Sequence, residues 1–519
     1  MVNHCGSSCF KASHGSTPIC NPLSIFIRVF RRRISPFWFQ LFYFLSLSTL
    51  GFWILKVLKP RTDFRPRYLD LFFTCVSSAT ISSMSTVEME VFSNPQLIVM
   101  TILMFIGGEV FTSMVGLYLR NSEPNQAQKA EHNIGSAYPN PEVNFVHTLE
   151  LGLTTVAESN RLEPKESIPD QSQLMYNSVR LLGFVVLGYL LTVNVMGTAL
   201  VWIYVSFVSS AKHVLKNKGL NLFTFAIFTT VSTFANCGFV PTNENMIVLK
   251  KNSLLLSILI PQILLGNTLF PSCLRFSIWV LGKFFKRVES KFILGNTREI
   301  GYLHLLPSQH SKDLVGTVLG FILVQFALFC SMEWYSGALS GLNFIEKIIG
   351  VIFQCVNARH AGESIVDLST IASAILVLFV IMMYLPPYTS FIPIDKDKRN
   401  QEKKRKAKFV ENLIFSQLSY LAIFVILICI TERKKIKEDP LNFNVLNIVI
   451  EVVSAYGNVG FSTGYSCERQ LKPDGNCVDK WYGFSGTWSD EGKIILIAVM
   501  FFGRLKKFNM NGGKAWVLS

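Results

Sequence analysis

Apolar residues in this chain run in long blocks instead of alternating with polar ones. Eight blocks, at about 38–58, 95–119, 179–209, 253–281, 313–332, 368–392, 409–431 and 492–510, reach or approach the roughly 20 residues a helix needs to cross a hydrocarbon core. Between alternate pairs lie four shorter apolar stretches, about 69–80, 221–235, 343–356 and 443–456, which carry Asp70, Glu346, Lys347 and Glu451. Their length and charge suit half-helices that enter a membrane and return, because backbone at that depth survives only where it is buried in protein or lines a wet cavity. The pattern predicts an all-α integral membrane fold. Four repeats of span, pore helix and span would set eight transmembrane helices around one central pore.

Composition agrees and narrows the class. Of 519 residues, 50% are apolar and only 16% charged, with mean hydropathy +0.37, against roughly 25% charged in soluble domains. A disordered chain, a disulfide-rich secreted domain and a conventional soluble enzyme are excluded. The net charge of +15 must then sit in loops, where it reports topology. The densest basic clusters are Arg28–Arg33 and the run 395–408, which holds Lys396, Lys398, Arg399, Lys403, Lys404, Arg405, Lys406 and Lys408. Both belong in the cytoplasm, and they share a side only if the short stretches do not cross. Arg433, Lys434, Lys435 and Lys437 fall on the opposite side and count mildly against the scheme. The expected units are a cytoplasmic tail 1–37, repeat one 38–119, a cytoplasmic linker 120–177 and repeat two 178–283. A cytoplasmic loop 284–311, repeat three 312–392, a basic cytoplasmic loop 393–408 and repeat four with a short tail 409–519 complete them. Both termini would be cytoplasmic, and the first 37 residues lack the pattern of a cleavable signal peptide.

The eleven cysteines form no CxxC pair and the eight histidines no cluster, so no cofactor and no resident metal is expected. Cys467 and Cys477 share a polar loop, where a disulfide and two free thiols both fit. No P-loop and no catalytic constellation appears, and the chain is not expected to be an enzyme. Despite the charge, nothing points to nucleic acid.

A stretch of small residues follows each short helix. The second reads Ser232-Thr233-Phe234-Ala235-Asn236-Cys237-Gly238-Phe239 and the fourth Ser454-Ala455-Tyr456-Gly457-Asn458-Val459-Gly460-Phe461. The third, Asn357-Ala358-Arg359-His360-Ala361-Gly362-Glu363, keeps the glycine; the first, Ser78-Ala79-Thr80-Ile81-Ser82-Ser83-Met84, has Ser82 instead. A cation crossing a membrane must exchange its water shell for protein oxygens, which rings of backbone carbonyls supply. Aiming successive carbonyls at one axis needs dihedrals that glycine reaches without a Cβ clash. The preceding helix also directs its partially negative C-terminal end toward the cavity.

With their flanks, Ser85-Thr86-Val87-Glu88-Met89-Glu90, Val240-Pro241-Thr242-Asn243-Glu244-Asn245 and Ser462-Thr463-Gly464-Tyr465, these segments resemble the plant high-affinity potassium transporter family (HKT) of the Trk/Ktr superfamily. The terminal Phe501-Phe502-Gly503-Arg504-Leu505-Lys506-Lys507-Phe508 fits as well, so the resemblance spans essentially 35–519. It implies a single-chain pore with pseudo-fourfold units and a filter at Ser82, Gly238, Gly362 and Gly460. Serine in the first filter position resembles the sodium-selective subfamily. The implied function is passive Na+ flux across the plasma membrane, with a Na+/K+ symporter or K+ uptake transporter as the alternative. The implied partners are Na+ or K+, the lipid bilayer and a second copy in a homodimer.

Charges inside the apolar blocks are the remaining candidates. Arg504 lies in the last block and, by the same resemblance, would reach the pore beneath the filter as an electrostatic brake. Snorkelling to the cytoplasmic surface suits Lys506 and Lys507. Glu109 is expected to pair with a basic residue, with Arg275 as a partner. Arg359 and His360 are expected to hold the third loop by hydrogen bonds, and Pro386-Pro387 to end or kink the sixth span.

Overall fold

The computed structural model describes residues 36–121, 171–389, 417–471 and 477–509. Both basic clusters and most of the linker 120–177 lie outside the described residues. Every regular element among the described residues is helical. In chain order these are α1 (Pro36–Val57), α2 (Tyr68–Thr80), α3 (Asn94–Gly107), α4 (Glu109–Asn121), α5 (Gln171–Phe207) and α6 (Ser209–Asn217). Then come α7 (Leu222–Ala235), α8 (Ser253–Gly266), α9 (Phe270–Phe285), α10 (Val288–Gly295), α11 (Thr297–Ile300) and α12 (Ser308–Glu333). The last six are α13 (Phe344–His360), α14 (Ser373–Tyr384), α15 (Gln417–Thr431), α16 (Arg433–Glu438), α17 (Val445–Gly457) and α18 (Asp490–Asn509).

The four short stretches are the helices α2, α7, α13 and α17, and they form the inner layer. Phe73, Phe225, Phe228, Phe353 and Val452 are completely buried, and nearly the whole C-terminal half of each helix is shielded. The other helices, up to the 37 residues of α5, surround them. Trp38, Phe42, Trp53, Phe184, Val195, Leu323, Ile426 and Ile430 on the outer helices present large apolar side chains outward. An apolar belt of this extent fits a lipid environment, not water. Among the described residues α1, α5 and α12 are long and apolar enough to cross as single helices. Two further blocks are bent pairs: α3 and α4 meet at 54°, α8 and α9 at 84°.

Local chemistry explains where the inner helices begin. Asn221 accepts from the backbone N–H of Phe223 and Thr224, and Asn444 from that of Asn447. Asn343 and Glu346 form a capping box at the start of α13. These caps satisfy orphan donors in the first turn and fix the starts of α7, α13 and α17.

Several expectations change. The helix of the third block starts at Gln171, inside the stretch expected to be linker, and α13 runs on to His360 instead of ending near 356. The sixth block contracts to α14, because 368–370 forms a 3-10 turn and the chain leaves the helix at Leu385, just before Pro386-Pro387. Its 12 residues span about 18 Å, short of a hydrocarbon core of roughly 30 Å. The stretch 284–311 is no plain loop: Ile293, Ile300, Tyr302 and Leu305 are buried against a second core with Val110, Leu182 and Leu274.

Candidate functional site

The inner helices converge on four loops. Three end in a left-handed residue, Ile81 (φ 58°), Asn236 (φ 59°) and Asn458 (φ 53°). The next backbone N–H then turns back onto the helix: Ser82 donates to Ser77 O, Cys237 to Ser232 O and Val459 to Ser454 O. The third loop closes differently. Gly362 N–H donates to Asn357 O, and the Asn357 side chain accepts from the Glu363 N–H.

Positive φ recurs at Ser83 (52°), Gly238 (91°), Gly362 (72°) and Gly460 (101°). These four also touch in sequence around an axis. A Cβ on Gly238 would overlap the carbonyl oxygen of Ala361, and one on Gly362 that of Val459. One on Gly460 would run into the Ser83 side chain and lie 3.2 Å from Ser82 O. The second, third and fourth loops therefore pack their positive-φ residue against the carbonyl preceding the next loop's, which leaves no room for a side chain at Gly238 or Gly362. All four residues line one cavity of about 220 Å3 that opens outward past Thr242, Glu244, Asp367, Tyr465, Asp479 and Tyr482.

The position in the first loop is thus Ser83, not Ser82. Ser82 is fully buried; its Oγ shares a 2.8 Å hydrogen bond with Thr80 Oγ1 and accepts a 2.7 Å bond from Asn458 Nδ2. It faces the neighbouring loop, away from the cavity. The two adjacent serines carry the same side chain, and only the backbone dihedral, positive at Ser83, separates them.

Side chains key the loops together. Besides Asn458 to Ser82, Thr233 Oγ1 donates to Glu363 Oε1 at 2.5 Å, joining the second and third loops. Further out, the Glu90 N–H donates to Asn243 Oδ1 and the Asn243 N–H to Glu90 Oε1. Asn245 Oδ1 accepts from the Ser364 N–H, and the Gly483 N–H donates to Ser85 O. Cys467 and Cys477 are disulfide-bonded in the segment leading to Gly483, which decides between the two states open at that loop. Between the starts of α2 and α18, Lys493 and Asp70 form an ion pair of 2.7 Å, Asp70 being 6% exposed.

The charged candidates separate. Arg504 is 1% exposed and donates from Nη2 to Gly107 O at 2.5 Å, capping the carbonyl left by the α3–α4 break. Glu109 Oε2 is 4.0 Å from its guanidinium, so Glu109 faces Arg504 and not Arg275. Arg275 donates instead to Leu306 O and Leu294 O. Arg359 reaches Pro386 O and Pro387 O, so it braces the end of α14 and not the third loop itself. Lys506 is half-buried over the Tyr456 and Phe502 rings, not free at a surface; the side chain of Lys507 lies outside the described residues. Lys435, counted against the topology, pairs with Glu432 and donates to Thr487 O. No group of three or more His, Cys, Asp or Glu able to hold a metal occurs among the described residues.

The TrkH family model, described as a cation transport protein, matches residues 145–394 and 389–510. The chain belongs to this cation transport family. It is 50% identical to the "Sodium transporter HKT1" of Arabidopsis thaliana over 89% of this chain and 91% of that one. To the "Cation transporter HKT1;3" of Oryza sativa subsp. japonica it is 49% identical over 93% and 92%. The potassium transporter TrkH from Vibrio parahaemolyticus shares the fold with a TM-score of 0.51 at 13% identity, covering 91% of this chain and 83% of that one. As a member of the TrkH family the chain is a multi-pass membrane cation transporter and not an enzyme.

Proposed function

We propose that the chain passes sodium passively across the plasma membrane through one central pore. The pore is built from four units, 38–119, 171–283, 312–392 and 409–519, whose eight outer blocks, the sixth shortened to α14, enclose the inner helices. Ser83, Gly238, Gly362 and Gly460 form its filter. The observation that carries this reading is the run of contacts in which Gly238, Gly362 and Gly460 each abut the carbonyl before the next loop's positive-φ residue, with all four residues lining one cavity. Such an arrangement presents backbone oxygens to a cation shedding water. The cavity above it is the outer vestibule, a side favoured by the Cys467–Cys477 disulfide at its rim, since disulfides persist in oxidising compartments. Both termini then face the cytoplasm.

Sodium is favoured over potassium because three quadrants carry hydrogen and the fourth a hydroxymethyl group, which narrows the ring on one side. The name of the Arabidopsis relative points the same way. Arg504 places a fixed positive charge level with the ends of the inner helices, beneath the filter, and slows cation exit. The driving force is the membrane potential, about 2.3 kcal/mol per unit charge per 100 mV, with the sodium gradient. A homodimer, implied by the family resemblance, completes the proposal.

Whole-cell currents with external Na+ and K+ varied separately test it. The reversal potential should follow Na+; a reversal potential that follows K+ refutes sodium selectivity, and the absence of any cation current refutes the pore.

A further inference from the structure

At the rim of the vestibule, Lys218 at the end of α6 reaches across to two carboxylates from different loops. Its Nζ lies 2.5 Å from Glu90 Oε1 and 2.6 Å from Glu244 Oε2. Glu90 follows the first filter loop and Glu244 the second, and Glu244 lines the cavity above Ser83 and Gly238. All three side chains are largely enclosed, with 17% of Lys218 and 24% of each glutamate exposed. Glu90 is held independently of the lysine, and Glu244 sits next in the chain to Asn243, the residue that holds Glu90. Glu90 is clasped by reciprocal bonds with Asn243, and the backbone beside it by Arg61, whose N–H donates to Val91 O. Arg61 Nη1 also donates to Lys218 O, which fixes the base of the lysine. Burial alone lowers the Lys218 pKa, but the hydrogen bonds to Glu244 and Glu90 outweigh it and the net shift is upward. The ammonium stays charged throughout the physiological range.

We infer that Lys218 is a specificity-determining residue, a tethered cation that fills a two-carboxylate seat at the pore mouth and keeps free divalent cations out of it. The geometry argues for this over an ordinary surface pair. One nitrogen bonds two oxygens from two chain segments that already meet through Asn243, so the ammonium is not needed to bring the segments together. What it supplies is charge. Without it two carboxylates face each other across the rim of the path that sodium takes, an arrangement of hard oxygen ligands that suits Ca2+. A divalent ion seated there would repel each incoming Na+ and screen the mouth, so current would fall as external Ca2+ rises.

The inference rests on the sodium-pore reading, and the test separates the two. Wild type without current would sink that reading; wild type with sodium current and an unsensitised variant would sink only this one. Inward Na+ current is recorded while external CaCl2 is raised through and above the roughly 0.1–1 mM range in which extracellular calcium modules bind. Lys218→Met should lower the half-blocking Ca2+ concentration at least tenfold relative to wild type. Lys218→Arg, which keeps the charge, should match wild type, and Lys218→Met with Glu244→Gln should return to wild-type sensitivity. A merely structural lysine would not give that rescue. Equal Ca2+ dependence in wild type and Lys218→Met, or block that persists in the double variant, overturns the inference. If Lys218→Met does not reach the surface, Glu244→Gln alone carries the test. It removes one of the two negative charges, so the group of Lys218, Glu90 and Glu244 goes from net negative to neutral and attracts entering Na+ less; inward current should fall at low ionic strength and recover in high salt. Currents equal to wild type at low ionic strength overturn the inference as well.

Discussion

If the proposed filter selects sodium through Ser83, replacing Ser83 by glycine should admit potassium, and replacing Ser82 should not. Ser83 is the one non-glycine among the four positive-φ residues, Ser83, Gly238, Gly362 and Gly460, that stand in equivalent places in the four loops and line the cavity. Removing its hydroxymethyl group gives all four quadrants the same outline, and a wider ring favours the larger ion. A hydroxyl contact is worth about 1 kcal/mol net. Set against about 2.3 kcal/mol per 100 mV, that is a reversal-potential shift of about 40–50 mV toward potassium, or about a fivefold change in permeability ratio at 1.4 kcal/mol per decade. The substitution should not cost stability. A non-glycine residue at φ 52° carries a left-handed penalty of roughly 1 kcal/mol that glycine lacks. Ser82→Gly is the control. It removes the hydrogen bonds to Thr80 and Asn458 at a cost of about 1–2 kcal/mol, yet it changes nothing that faces the cavity. The assay is the bi-ionic reversal potential, Na+ outside against K+ inside and the reverse, normalised to surface protein. A shift in Ser82→Gly with none in Ser83→Gly would refute the assignment. No shift in either would refute the claim that the first loop sets selectivity.

Three further outcomes follow from the same geometry. Gly238→Ala should abolish current at least tenfold with the protein still at the surface, because φ is 91° and the new Cβ would overlap Ala361 O; near-wild-type current would contradict the packed ring. Lys493→Met leaves Asp70 at 6% exposure with only the largely exposed Arg67 beside it. Thermal unfolding in detergent should show a loss of about 3 kcal/mol, more than half of it regained when Asp70→Asn is added, and a loss below about 1 kcal/mol would deny the pair its role. Arg504→Gln removes the charge and keeps a polar side chain, though one too short to reach Gly107 O in place of the guanidinium; surface-normalised inward current should rise several-fold, and unchanged current would make Arg504 a structural cap alone.

The sequence made the element plan readable because hydrophobic block length and the dihedral demands of small residues are local properties. The four inner helices fall within a few residues of the apolar stretches at 69–80, 221–235, 343–356 and 443–456, and glycines 238, 362 and 460 meet in one cavity. Where the forecast slipped, the deciding information was not local. Two adjacent serines carry the same chemistry on paper, and which one reaches the axis depends on whether the helix ends at Thr80 or a residue later. Ile81 takes the left-handed turn despite its branched Cβ, and that pushes Ser82 behind the loop against Asn458, 376 positions away. Glu109 facing Arg504 instead of Arg275 has the same origin. The α3–α4 break leaves Gly107 O in need of a donor, and only the packed fold shows that the last helix brings one there. Lys218 belongs with these. In the sequence it is one basic residue among many in Lys212-His213-Val214-Leu215-Lys216-Asn217-Lys218. Its partners lie 128 residues before it and 26 after it, and only their meeting at the rim separates it from the topology-reporting charge around it.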